Sequence, residues 1–352
     1  DSRLDNHVRC GPASDSQYCH PDVYAGAPDV LHRNRCDGSG HFDEVGEQAG
    51  IRISDPNEAK GLGVIWFDHD DDGYPDIYVA NDSTRNFLFR NRGDGTFEEI
   101  GVMAGVAYNA DGRTEAGMGI AVADFAASGH FDLVVTHLDF ETNTYYRNLG
   151  QGLFEDATIA TGIGPPSMTR VGFGIAAVDA DNNGHVDLYV ANGHILDNIA
   201  ALNSTLAHAQ PDQLLHNDGR GRFHLLRPAK AGPWFARAMV GRGAYAADMD
   251  NDGAMDLLIS NNHGTAHLLR NRVGQRGHWV MLRLISRHGG RDAIGARVRL
   301  HAGGRVQQAE VRAGSSYLGS EDPRLHCGLA EEQSIDRIEI RWSEGDTQRI
   351  AG

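Results

Sequence analysis

The chain has 352 residues and is 40% hydrophobic, which is enough apolar material for a large folded core and excludes disorder for its bulk. Lys and Arg total 32 against 48 Asp and Glu, and the formal charge of −16 repels phosphate backbones while suiting a protein that collects cations. Nucleic acid is therefore excluded as a partner, and no apolar run of about 18 residues exists to span a membrane.

From the N-terminus, residues 1–26 form a cysteine-containing segment, and residues 27–274 form a run of repeats. A partial copy, LHRN ending at Asn34 followed by Phe42, precedes four full ones. The full copies open on Gly61/Gly63, Gly117/Gly119, Gly172/Gly174 and Gly241/Gly243. Five residues later each reaches an Asp (Asp68, Asp124, Asp179, Asp248), at intervals of 56, 55 and 69 residues. An apolar strand follows: DIYVAN from Asp76, DLVVTH from Asp132, DLYVAN from Asp187 and DLLISN from Asp256. A stretch ending in Arg-Asn or His-Asn comes next, at Asn91, Asn148, Asn217 and Asn271. The first three copies close on a Gly-rich turn and an aromatic, Phe97, Phe154 or Phe223.

Short strands divided by Gly/Asp/Asn turns at this period predict one four-stranded sheet per copy. Such sheets bury their faces against each other as the blades of an all-β propeller. The longest interval holds an insertion, His194 to Gln213, read as a short helix or loop. Past Gly274-Gln275-Arg276 the segments WVMLRLI, ARVRLHA, QQAEVRA and DRIEIRW alternate apolar and polar residues, which predicts a separate small β domain over residues 275–352.

The turn after the first strand of a copy carries the chemistry. It reads Asp68-x-Asp70-x-Asp72-Gly73-x-x-Asp76, then Asp179-x-Asp181-x-Asn183-Gly184-x-x-Asp187, then Asp248-x-Asp250-x-Asp252-Gly253-x-x-Asp256. Oxygens at positions 1, 3, 5 and 9, with the position-7 carbonyls of Tyr74, His185 and Ala254, can wrap one Ca²⁺, and the Gly at position 6 permits the sharp turn. About three calcium ions are expected, since hard oxygen donors favour Ca²⁺ over zinc or copper. The competing reading is an Asp/Gly-rich hairpin turn without metal, and three copies in one register weigh against it. The second copy reads Asp124-x-Ala126-x-Ser128-Gly129-x-x-Asp132, and no tight calcium site is expected there.

None of the Gly-x-Gly pairs is a full nucleotide-binding GxGxxG; tight packing of innermost strands accounts for them better. Asn81, His137, Asn192 and Asn261 share one repeat position, and His194 and His263 share another two residues on. A propeller would array these six as a polar ring at one end of its axis, as a binding or metal site; locally hydrogen-bonded loop residues are the favoured reading. No catalytic residues are assigned, because G-x-S-x-G, HExxH and Cys/His nucleophile arrangements are missing. Asn81-Asp82-Ser83 and Asn203-Ser204-Thr205 are read as chance matches to the N-glycosylation pattern. Four cysteines without a CxxC pair favour two disulfides in an oxidising compartment over a zinc site. The opening DSRLDNHVRC, with neither initiator Met nor signal-peptide core, reads as a processed or truncated product.

The calcium loops, the LFRN-GDGTF stretch (Leu88 to Phe97) and VANDS (Val79 to Ser83) resemble the blades of FG-GAP/VCBS-repeat proteins of the cartilage-acidic-protein type. RDAIGARVRL (Arg291 to Leu300), AGSSYLGSEDPRLHCGL (Ala313 to Leu329) and RIEIRW (Arg337 to Trp342) resemble the ASPIC/UnbV domain that closes those proteins. The resemblance implies a secreted or periplasmic calcium-binding propeller; similar genes also occur in bacterial enediyne clusters. It further implies that the four blades and the partial one belong to a ring of about seven, with N-terminal blades missing or supplied by another polypeptide. Cys36 and Cys327 stand where the family has Asn and Phe, so they are expected to pair with each other, and Cys10 with Cys19. Together these readings point to a non-catalytic module presenting loops to a protein or glycan partner. The alternative is a metal-dependent enzyme or biosynthetic accessory protein working at the channel mouth through His137, His194 or His263.

Overall fold

A computed structural model describes Cys10, residues 19–287 and residues 290–352. Residues 1–9 and 11–18 of the 1–26 segment lie outside the described residues, and a Cys10–Cys19 disulfide matches the expected pairing. The partial copy is a two-stranded hairpin of His32–Asn34 (β1) and Phe42–Glu44 (β2).

The first full copy is the antiparallel sheet of Gly61–Phe67 (β3), Asp76–Asn81 (β4), Phe87–Asn91 (β5) and Phe97–Glu99 (β6). Its neighbour contains Ile120–Ala123 (β7), Asp132–Val135 (β8), Thr144–Asn148 (β9) and Phe154–Asp156 (β10). The third holds Gly172–Val178 (β11) and Asp187–Asn192 (β12), then, past a short Gln210–Pro211 (β13), Gln213–Asn217 (β14) and Phe223–Leu225 (β15). The insertion carries one helical turn, Ile199–Leu202, and β13 pairs with Ala238–Met239 (β16). The fourth sheet has three strands: Gly241–Ala247 (β17), Asp256–Asn261 (β18) and His267–Leu269 (β19). The second strands of the first three sheets are buried along their length because packed structure lies on both sides of them, as for all six residues of β4 and of β12, whereas β18 of the fourth is partly exposed.

The core sits between blades. Ile65, Tyr78 and Leu88 of the first pack on Ile120, Leu133 and Tyr146 of the second, and Ala121, Val134 and Tyr145 of the second on Ile175, Leu188 and Leu215 of the third. Truncating one such residue, for example Leu133→Ala, costs about 2–5 kcal/mol. The Gly-x-Gly pairs explain why innermost strands approach so closely. A Cβ on Gly63 would sit 2.2 Å from the Met118 carbonyl oxygen, and one on Gly119 would sit 2.0 Å from that of Phe173. The blades thus follow one another in an arc, in chain order.

The C-terminal unit combines Trp279 and its neighbours in His278–Leu282 (β20), paired with Leu325–Ala330 (β23), and a sheet of Arg297–Ala302 (β21), Arg305–Glu310 (β22), Arg337–Arg341 (β24) and Thr347–Ala351 (β25). Between β22 and β23 its chain runs along the inner strands of the arc. Ile120 and Ser316 exchange backbone hydrogen bonds at 3.0 and 2.9 Å, Ser316 Oγ accepts the Ile175 N–H at 3.1 Å, and Tyr245 Oη donates to the Tyr317 carbonyl at 2.9 Å.

The expected Cys36–Cys327 bridge is not formed. Cys36 is exposed in the turn after β1, whereas Cys327 is buried in β23 among Leu284, Val298 and Leu325 of the C-terminal core. Both are free thiols, because a sulfur enclosed by that core cannot reach a surface turn.

Candidate metal centres at the blade turns

All four turns share one backbone frame. Position 4 has a left-handed φ in every copy (Asp71 67°, Ala127 51°, Asn182 58°, Asn251 58°), and so does the glycine at position 6 (101°, 85°, 85° and 84°). The first Asp holds that glycine: its Oδ2 accepts the N–H of Gly73, Gly129, Gly184 or Gly253 at 2.9, 2.9, 2.8 and 2.9 Å. Its Oδ1 accepts the N–H of position 5, at 3.1 Å in the first, third and fourth turns and 2.7 Å in the second.

The ninth-position Asp works at the other end. Asp76, Asp132, Asp187 and Asp256 each accept the backbone N–H of the repeat asparagine (Asn91, Asn148, Asn217, Asn271) at 2.7, 2.8, 2.7 and 2.8 Å. The remaining Asp76 oxygen takes the His69 N–H at 3.0 Å and the His69 ring at 2.5 Å, and that of Asp132 takes the Tyr145 O–H at 2.6 Å. This position therefore has an architectural role, present even in the turn that lacks the acidic set.

Positions 3 and 5 differ. Carboxylate oxygens of Asp68, Asp70 and Asp72 lie within 4.8 Å of one another, and so do those of Asp248, Asp250 and Asp256. Asp72 is raised above the usual carboxylate range by burial and by the charges of Asp70, Asp76 and Asp68. In the third turn, Asp181 and Asn183 flank Asp179, which burial pushes up to about 7. Asp72, Asn183 and Asp252 each accept the N–H of position 7 (Tyr74, His185, Ala254) at 2.8, 2.7 and 3.0 Å; Asp72 keeps a second oxygen, that of Asp252 accepts from Arg270 and Gln275 at 3.1 and 2.5 Å, and the Asn183 amide has no other. Arg270 reaches Asp250 at 2.5 Å and Asp252 at 3.1 Å, so the fourth turn has an exposed guanidinium beside its acids.

The six polar-ring residues do not form one centre. Asn81 donates to the Arg85 carbonyl, Asn192 to that of Pro211 and Asn261 to that of Thr265, at 2.8, 3.0 and 3.0 Å. His137 pairs with the Thr142 carbonyl at 2.8 Å, His194 with Asp139 at 3.1 Å, and His263 is exposed. Among the described residues, none of the three histidines belongs to a group of metal-ligating side chains.

Two sets of residues had no role assigned from sequence. The repeat asparagines staple neighbouring blades: Asn148 Nδ2 donates to the His69 carbonyl of the preceding turn, Asn217 to that of Phe125 and Asn271 to that of Ala180, at 2.9, 2.8 and 2.7 Å. Their recurrence was a visible signal. Arginines of the C-terminal unit, for which no signal exists, reach the first, third and fourth turns. Arg297 and Arg341 contact Asp68 and Asp71, Arg305 donates to the Asn183 carbonyl at 2.7 Å, and Arg324 donates to that of Asp248 at 2.9 Å.

Comparison with known proteins agrees with this layout. Residues 286–352 match the ASPIC and UnbV family, and residues 68–135 and 124–190 match the FG-GAP-like repeat. Cartilage acidic protein 1 of Homo sapiens is 30% identical over 278 residues, covering 77% of this chain and 39% of the relative. The Mus musculus protein of that name is 29% identical over 310 residues, covering 86% and 44%. The chain thus spans less than half the length of these curated relatives. Among solved structures, an Agrocybe aegerita lectin recognising non-reducing terminal N-acetylglucosamine aligns at a TM-score of 0.38 and 17% identity, over 70% of this chain and 62% of its own. The V. cholerae biofilm matrix protein Bap1 aligns at 0.35 and 10%, over 94% and 59%.

Proposed function

From a chain that belongs to the FG-GAP-repeat proteins ending in an ASPIC and UnbV domain, the cartilage-acidic-protein-like family, we infer a calcium-binding propeller that serves as an interaction module for a protein or glycan partner. The observation that carries the calcium reading is the second turn. With Ala126 and Ser128 at positions 3 and 5 it keeps the same backbone frame, so carboxylates at those positions are not needed to shape a turn. Asp70, Asp72, Asp181, Asp250 and Asp252 are surplus charge, and gathered carboxylates are stable only with a cation between them or with protons taken up.

The donor set suits a hard divalent ion. Asp68, Asp70, Asp72 and Asp76 would hold it in the first turn, Asp179, Asp181, Asn183 and Asp187 in the third, and Asp248, Asp250, Asp252 and Asp256 in the fourth, with the carbonyls of Tyr74, His185 and Ala254 as neutral ligands. What calcium supplies there is neutralisation, and the rigid turns then present the rim of the arc. Further blades outside this chain would complete a ring of about seven. Secretion or export to the periplasm fits millimolar calcium, the Cys10–Cys19 disulfide and the absence, among described residues, of any helix long and apolar enough to cross a membrane.

The test is calcium titration of chelator-stripped protein by calorimetry, followed by thermal melts. About three ions should bind, and excess EGTA should lower Tm by several degrees, since ligand at 100 times its Kd contributes about 2.7 kcal/mol per site. Identical melting in calcium and in EGTA refutes the reading.

A further inference from the structure

The C-terminal unit hydrogen-bonds to three of the four turns, the three with the acidic set, and meets the second through Arg297 and Arg312, stacked 4.6 and 5.3 Å from the centre of the Phe131 ring. Arg341 Nη1 donates to the Asp71 carbonyl at 2.9 Å, and its Nη2 pairs with Asp68 Oδ2. Arg297, only 6% exposed, donates to the Asp68 carbonyl, pairs with Asp71 and is held from behind by Glu310 at 2.9 Å. On the third turn, Arg305 meets the Asn183 carbonyl at 2.7 Å, and the Ala330 N–H donates to the Asn182 carbonyl at 2.8 Å. On the fourth, Arg324 donates to the Asp248 carbonyl at 2.9 Å and to Asn251 Oδ1 at 2.6 Å, with the His326 ring 3.0 Å from the Gly253 carbonyl. Among the described residues no hydrogen bond joins the second turn to this unit; a cavity of about 160 Å³, lined by Asp124, Ala127, Gln307 and Arg324, lies between them.

We propose that Arg297, Arg305, Arg324 and Arg341 form a latch, making the seating of the C-terminal unit and the cation loading of the first, third and fourth turns one linked equilibrium. The inference rests on the calcium reading above. Each of the four guanidiniums donates to one backbone carbonyl of a turn, whose direction is fixed by the same turn conformation that aims the acidic side chains inward. Whatever holds that conformation therefore favours both events. Charge opposes this only in part, since Arg341 shares the Asp68 carboxylate with any ion there. The first turn carries Asp68, Asp70, Asp71, Asp72 and Asp76, so two guanidiniums leave it negative, with room for a divalent ion. Linkage is reciprocal: an ion that tightens the latch is itself held more tightly when the latch is closed.

The latch is tested on the full chain with calcium as the probe, by titration calorimetry and amide hydrogen exchange. In wild type, adding calcium to stripped protein should slow exchange in β21, β22 and β24. Arg341→Gln should weaken calcium at one site about fivefold to twentyfold, the range of ordinary allosteric coupling, and abolish the calcium effect on β24. Arg305→Gln should do the same for another site and for β22. Exchange in β8 and β12 reports whether either variant still folds, and if one fails the other carries the measurement. Arg349→Gln, whose side chain is 77% exposed and pairs with Glu339, should change nothing. Wild-type calcium affinity in both folded arginine variants, or calcium binding without slower exchange in these strands, overturns the latch. A wild type that takes up no calcium overturns the calcium reading and the latch together, a separate result.

Discussion

The second turn and its three counterparts are the same piece of backbone with different cargo. Both kinds use the first Asp to hold the position-6 N–H and the ninth Asp to hold the repeat asparagine. Among the side-chain ligand positions they part at 3 and 5, Ala126 and Ser128 against Asp70 and Asp72, Asp181 and Asn183, or Asp250 and Asp252. The comparison separates two jobs that the repeat motif merges. Positions 1, 6 and 9 make the turn, and positions 3 and 5 give it a charge that the fold does not need. It also separates surroundings, since the arginines of the C-terminal unit hydrogen-bond to the charged turns, whereas Arg297 and Arg312 only stack on Phe131 of the second, which otherwise faces a cavity.

If the frame is common to both kinds, damaging it should be costly wherever it is done and independent of calcium. Asn217 is 1% exposed, and its Nδ2 donates to the Phe125 carbonyl at 2.8 Å and the Val186 carbonyl at 2.9 Å, tying the third blade to the second turn. Asn217→Ala strands both carbonyls and the Gly219 N–H, which donates to Asn217 Oδ1 at 3.0 Å. A loss of about 2–4 kcal/mol is expected in urea melts, equal in calcium and in EGTA. A loss present only in calcium would mean that the staple serves metal binding and that the frame is not shared.

The next largest effect uses the turn without an acidic set to read a ninth-position carboxylate alone. Burial pushes Asp132 up to about 6, the Tyr145 O–H and Asn148 N–H resist the shift, Asp124 adds to it and Arg147 lessens it. Its unfolded value is about 3.9. Between pH 6 and pH 4 the folded chain therefore keeps a proton that the unfolded chain has lost, so this group adds stability as pH falls through that window and withholds it above. Going from pH 7.5 to 4.5 in chelator, wild type should gain about 2 kcal/mol more than Asp132→Asn, measured by urea unfolding. Equal pH slopes in the two proteins would place the titration elsewhere.

Much of this was legible in the chain. The period of the Asp residues, the apolar runs after them and the Gly-x-Gly pairs specify blades and their close packing, because each is a local pattern tied to one geometry. The architectural duty of Asp76, Asp187 and Asp256 was hidden, since a carboxylate looks the same whether it faces an ion or a backbone N–H. The Cys36–Cys327 pairing failed for a related reason: a rare residue at two positions says nothing about the distance between them, and Cys327 points into an apolar core. The arginine contacts were out of reach because Arg297 and Arg341 lie more than two hundred residues from Asp68, on strands whose pattern describes only their own sheet. The C-terminal chain along the inner strands, at Ser316 and Tyr317, was likewise a tertiary fact.

The smallest expected change in stability divides the two kinds of turn most sharply. Replacing Asp70 and Asp72 together by Asn removes charge but keeps shape, because Asn can still accept the Tyr74 N–H that Asp72 holds at 2.8 Å. In EGTA the double variant should match wild type or exceed it by up to about 1 kcal/mol, since relieving like charge stabilises a turn that does not need those groups. In calcium it should bind one ion fewer. The reciprocal change, Ala126→Asp with Ser128→Asp, gives the second turn the missing carboxylates on a backbone that already has φ 51° at Ala127 and 85° at Gly129. It should add one ion by calorimetry and cost about 1 kcal/mol in EGTA. If the grafted turn takes up no calcium while the natural three do, the shared frame is insufficient, and the arginine hydrogen bonds made, among the described residues, to those three turns become part of what a loaded turn requires.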